Sequence, residues 1–279
     1  MTAPFSQRRL AVITLALLLA LMAWDATDLD MRLAQWFGTA QGFALTDNWL
    51  LENVLHEGGR KLSWLVALAL TLAVWWPFGP LRRLESRERV QLIVTSLVAV
   101  LAVSLLKSLS PASCPWDLSA FGGVARHVSH WSWTRDGGSG HCFPAGHASS
   151  GFAFVGGYFI WRRHSARVAR NWLLLSLLAG FTLGFAQQAR GAHFMSHTLW
   201  TGWLCWSVGL AIDAGRRVPF SRLQAWLRRG RPSLPQPVTA HRPARADRAW
   251  LRRGRPSLPQ PATAHHPAHA DRATSPPGR

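Results

Sequence analysis

Three polar clusters stand out in this chain of 279 residues, and each holds side chains suited to handling an anion. Lys107 ends one apolar run and is followed by SLSPASCPWD; HCFPAGHASS, residues 141–150, opens the next run; QQARGAHFMSH, residues 187–197, joins the last two. Lys107 and Arg190 are cations that can hold phosphate oxygens, lysine as a point charge and arginine as a planar fork. His147, His193 and His197 offer imidazoles for attack and proton transfer. Pro144–Ala145–Gly146–His147 sets a tight turn at a helix N-terminus, where the free N–H groups of residues such as Ala145 and Gly146 favour phosphate. Cations around an anion with imidazoles beside them are what phosphoryl transfer needs. His193 and His197 are four apart and would share a helical face able to bind a metal. Gly191 and the short loop argue against a helix there, and neither Cys nor carboxylate stands nearby in sequence. No metal and no organic cofactor is expected.

Something must bring these clusters to one place. Six apolar runs, near residues 10–24, 62–78, 90–106, 148–161, 172–186 and 197–212, are the candidates. Each is shorter than the ~20 residues of a typical spanning helix, so their flanks decide the reading. With the N-terminus inside, the inner segments 1–9, 79–89 and 162–170 hold 10 basic residues in 29 positions. The outer segments 25–61, 107–147 and 187–196 hold 7 in 88. That is the positive-inside bias, which a soluble core has no reason to show. Trp24, Trp64, Trp75, Trp76, Trp161 and Trp172 sit at run ends, where indoles favour the membrane interface. The first run also has the Arg8–Arg9 start of a signal peptide, but no small-residue cleavage site follows and a retained helix is expected. The expected fold is all-α, a six-helix transmembrane bundle with the three clusters on its outer face. Both termini are then cytoplasmic, in a bacterial inner membrane, with the site facing the periplasm.

The pI near 11.8 suits a nucleic-acid binder, yet the charge is in the wrong place for one. From Gly215 onward the chain has 14 Arg and two Asp, so the tail carries +12 of the net +18. Residues 225–248 return almost unchanged at 249–272. Two Pro/Arg/Ala-rich copies build no solenoid and bury no core, so a disordered tail is expected. Residues 1–89 thus form two helices and an outer loop, 90–214 the four-helix core, and 215–279 the tail.

The order Lys, then Pro-x-Gly-His, then Arg and His across six helices resembles the type-2 phosphatidic acid phosphatase and vanadium haloperoxidase superfamily, over roughly residues 90–212. The family's motifs are Lys, six residues, Arg-Pro; then Pro-Ser-Gly-His; then Ser-Arg, five residues, His, three residues, Asp. Here Lys107 is followed at the right spacing by Cys114–Pro115, and Ala145 replaces the motif serine. Ala189–Arg190 precedes His197 by one residue more than the pattern, and Thr201 stands at the aspartate position. The resemblance implies that His197 accepts the phosphoryl group and that His147 is general acid and then base. Lys107, Arg190 and the Ala145–Gly146 backbone would hold phosphate. Asp117 or Asp136 would supply the missing carboxylate, Arg126 or Arg135 the missing cation, and His193 a further polar contact. Cys114 and Cys142, both in the outer loop, are expected to pair in an oxidising compartment. The activity implied is hydrolysis of a lipid phosphate or pyrophosphate through a phosphohistidine. The alternatives are transfer to another lipid, or a non-catalytic relative that binds a phosphate headgroup. The partner is the lipid; the sequence specifies no oligomeric state.

Overall fold

The computed structural model describes residues 6–216; the duplicated tail lies outside the described residues. Within them the chain is mostly helical. Helix α1 spans Gln7–Asp25, α2 Leu29–Ala34, α3 Gly59–Leu72, α4 Ser86–Leu109, α5 Ser149–Phe152, α6 Gly156–Trp161, α7 Ala166–Ala189 and α8 Met195–Gly215. A π-helical stretch, Leu50–Gly58, runs directly into α3. Among the described residues the all-α expectation fails at a two-stranded hairpin, β1 Gly38–Thr39 and β2 Gly42–Phe43, and at an isolated bridge between Leu118 and Ala125. The hairpin forms in the loop after α2, where Gly42 takes a positive φ that closes the turn.

The helices outrun their apolar cores because polar residues cap them. Ser6 accepts from the Arg9 N–H at the start of α1, and Ser165 starts α7 in the same way. Glu85 and Glu88 form a reciprocal capping box on α4. Of the six expected spans, α1, α4 and α7 are long and apolar enough to cross a membrane. The run at 148–161 falls short for a visible reason: its helix is interrupted by a 3-10 turn at Ala153–Val155, between α5 and α6. α8 is long enough, but Ser196, His197, Thr198, Thr201 and Asp213 on its buried face make it polar.

Helix α8 is the central element, touching α1, α4, α5, α6 and α7. Glycines let the backbones close on one another. A methyl on Gly151 of α5 would lie 2.2 Å from the Gly180 nitrogen of α7, and one on Gly184 would strike the Thr198 side chain at 2.3 Å. Large aliphatics point away from this core: Val12, Leu15 and Leu19 on α1, Leu101 and Leu105 on α4, and Leu174, Leu175 and Leu178 on α7 are exposed. One end of the helices is tied by ions. Asp213, fully buried, accepts from Arg162 at 2.9 Å and Gln7 at 2.6 Å and pairs with Arg163 at 3.2 Å. Beside it Glu88 meets His164 at 2.9 Å. The polar clusters gather at the other end.

Candidate active site

Lys107 arrives in the last turn of α4, half-buried, and its stem lies over the Pro144–His147 turn. A methyl built on Gly146 would sit 3.5 Å from the Lys107 Cδ. The turn is fastened to α8: the Ala145 N–H donates to the His197 carbonyl at 3.2 Å. The Thr201 hydroxyl sits between the carbonyls of His197, at 2.8 Å, and Ala145, at 3.0 Å. Thr201 therefore locks two backbones together, and its hydroxyl is committed to them rather than to an imidazole. Downstream, the Gly146 carbonyl accepts from the Ser149 hydroxyl at 2.6 Å, which starts α5.

The His147 ring packs against His56 with centroids 3.8 Å apart. His56, Arg60, Ser150 and Gln187 line one tight crevice with His147. Burial, then the charges of His56, Lys107 and Arg60, push the His147 imidazole down to about 4. His56 is lowered too, by burial and by Arg190. Arg190 caps α7, donates from Nε to the Thr46 carbonyl at 2.7 Å and lies 3.5 Å from Glu52. The segment between the hairpin and α3 thus anchors this arginine beside the histidine pair.

His193 and His197 are both buried, with ring centroids 5.7 Å apart. His193 stands on the approach to α8, two residues before Met195, while His197 is inside the first turn. Burial, then the charges of Lys107, His197 and His147, hold the His193 imidazole well below its ordinary value. Its Nδ1 is 3.4 Å from the Cys142 sulfur. The His197 ring is walled by Phe143 at 5.3 Å, Phe194 at 5.5 Å and His130 at 5.6 Å. Its Nδ1 is buried without a hydrogen-bond partner.

Cys114 and Cys142 are joined in a disulfide, Cα atoms 5.1 Å apart, which ties the segment after Lys107 to the segment before His147. With His193 these sulfurs form a cluster of metal-ligating type, but the two sulfurs are bonded to each other, and a disulfide offers no thiolate. Asp117 accepts from the Ser139 hydroxyl at 2.7 Å and the Cys114 N–H at 3.4 Å, capping its own loop. Asp136 accepts from the Ser113 N–H at 2.6 Å, the Ser113 hydroxyl at 2.7 Å and the Gly138 N–H at 3.0 Å. Burial raises its carboxyl, and these bonds more than offset that, holding it below the usual range. Neither carboxylate is hydrogen-bonded to His197. Arg126 and Arg135 are exposed on the same loop, and Arg126 donates its backbone N–H to the Asp136 carbonyl.

Sequence reasoning missed four neighbours of the site. His56 and Gln187 stand by His147, while His130 and Asp25 stand by His197. Only Gln187 left a signal. Counted from His193, the third motif's spacing puts Gln187 at the arginine position and His197 at the carboxylate position.

Residues 89–216 match the family model of the PAP2 superfamily. The chain carries a PAP2 superfamily domain, of a family whose members are generally phosphatases or haloperoxidases. Comparison with curated proteins and with solved structures returned no match.

Proposed function

We propose that this chain is an integral-membrane phosphatase that removes phosphate from a lipid phosphate or pyrophosphate through a phosphohistidine intermediate. The observation that carries the reading is the gathering of Lys107, His147, His193 and Arg190 at one end of a PAP2 domain. α3, the α5–α6 segment and α8 complete a six-pass bundle with α1, α4 and α7. The α5–α6 segment and the polar face of α8 are covered by their neighbours, and the exposed aliphatics of α1, α3, α4 and α7 meet lipid. The arginine bias supports a site at the outer face, which in a bacterial inner membrane is the periplasmic one.

The order of motif residues, Arg190 and then His197, points to His197 as the phosphoryl acceptor, but the surroundings favour His193. The charge of Lys107 acts on both imidazoles, but that of His147 is among those acting on His193, and His197 is walled by aromatic rings. With Nδ1 of His193 against Cys142, Nε2 is the attacking atom. It bonds to phosphorus as the bond to the leaving oxygen breaks, and His147 gives that oxygen its proton. His147 then takes a proton from water, whose oxygen displaces His193 and releases inorganic phosphate. A resting imidazole pushed to about 4 is neutral at pH 7; the arriving phosphate dianion raises its proton affinity and loads it as the acid. Lys107 and Arg190 offset the charge of the transferring group.

The test uses the full chain purified in detergent, offered lipid phosphates and pyrophosphates, with released phosphate measured. Release inhibited by vanadate is expected. Vanadate binding with no release from any substrate would instead assign the pocket to headgroup binding alone.

A further inference from the structure

The third motif's carboxylate is missing, yet a carboxylate stands behind the histidine pair from a part of the chain outside the PAP2 match. Asp25, the last residue of α1, accepts three ring N–H bonds from two other regions. They come from His130 Nε2 at 3.2 Å, Trp131 Nε1 at 2.9 Å and Trp200 Nε1 at 2.9 Å. The side chains of His130 and Asp25 are only 9% and 7% exposed. The His130 ring lies flat on Phe143, centroids 4.1 Å apart and planes at 14°, and meets His197 edge-on at 5.6 Å and 89°. His197 in turn stands 5.7 Å from His193. Both Asp25 and His197 have a buried polar atom with no partner, Oδ1 and Nδ1, and both residues line one cavity of about 170 Å³.

We infer that Asp25 and His130 are positioning residues that, acting through His197, take the place of the carboxylate the motif lacks. Three features support this. Asp25 fixes which nitrogen of His130 carries a proton, because a carboxylate only accepts. Phe143 fixes the plane of His130, so its edge can pack against His197 in one orientation. The negative charge at the end of the row opposes the cations on the Lys107 side and stabilises positive charge as His193 takes the phosphoryl group. The ring N–H groups of Trp131 and Trp200 satisfy the carboxylate Oδ2 inside an aromatic wall. This inference rests on the phosphatase reading and adds residues to it.

The experiment follows p-nitrophenyl phosphate hydrolysis by the full chain in detergent. Asp25→Asn keeps an oxygen for the tryptophan N–H groups and removes the charge; His130→Gln removes the ring. Each should lower kcat about 10- to 100-fold, the range seen when the hydrogen-bond partners of metal-ligating histidines are removed, with KM within about twofold. The double variant should be no worse than the weaker single one, as expected of residues acting as a unit. Trp131→Phe deletes one bond to Asp25 and leaves its charge, so its kcat should stay within about twofold of the parent. Wild-type kcat in Asp25→Asn and His130→Gln overturns the inference while leaving the phosphatase reading intact. Equal losses in Asp25→Asn and Trp131→Phe also overturn it, because they would mark Asp25 as an anchor of the loop. If Asp25→Asn fails to fold, His130→Gln decides alone. An inactive parent chain with every substrate brings down the phosphatase reading and this inference with it.

Discussion

His147 shows how much of the site's chemistry follows from where a single imidazole is put. Burial among His56, Lys107 and Arg60 makes the folded chain refuse a proton until about pH 4, while an unfolded chain takes it near the ordinary 6.5. The unfolded state therefore binds more protons between those values, and stability is lost as pH falls through that window. His193 is shifted in the same direction. Thermal melting in detergent should show the midpoint falling from pH 6.5 toward pH 4, and His147→Asn should flatten part of that fall. An unchanged slope in the variant would contradict the assigned environment. Lys107 and the Pro144–His147 turn were legible in the sequence because each is local, a few residues of fixed spacing beside a helix end. His130 and Asp25 were not, because their meeting spans 105 positions and depends on how a long loop folds over the helix ends. No periodicity or spacing encodes such a contact.

At the scale of the elements, position depends on backbones that approach closely. α5 follows the His147 turn and lies against α7, which Arg190 caps, and Gly151 and Gly180 set that distance. Gly151→Ala places a carbon against backbone atoms that cannot rotate away, at 2.2 Å from the Gly180 nitrogen. The cost should reach at least the ~1–3 kcal/mol typical of overpacking, read as a lower melting temperature with reduced activity. Gly215→Ala, at the open end of α8 where nothing lies within 4 Å, should leave both unchanged. Loss of stability in Gly215→Ala as well would contradict the account, because alanine is the better helix former and nothing crowds it there. Most helices were readable from apolar runs, with ends moved by caps such as Glu85 and Ser165. The α5–α6 break was not, because Gly151, Gly156 and Gly157 read equally well as close packing or as an interruption. The hairpin escaped because two strands of two residues carry no alternation to detect.

Across the whole molecule the two ends of the helices divide the work. One end is held by Asp213 with Arg162, Arg163 and Gln7, the other bears the histidines. Removing a buried carboxylate takes an ion-pair partner from Arg162 and Arg163, and breaking a buried pair in this way costs about 3–5 kcal/mol. Asp213→Ala should therefore lower the melting temperature sharply, yet the fraction that stays folded should keep wild-type kcat; a lower kcat per folded molecule would place Asp213 in the site's machinery. The most direct measurement concerns the covalent intermediate. His147→Ala should still be phosphorylated by a substrate with a good leaving group, but should lose its label slowly, because the base for water is gone. Mixing this variant with a radiolabelled aryl phosphate, quenching in alkali and mapping the labelled peptide should find the phosphoryl group on His193. Label on His197, or no trapped label while the parent chain turns over, would contradict the account.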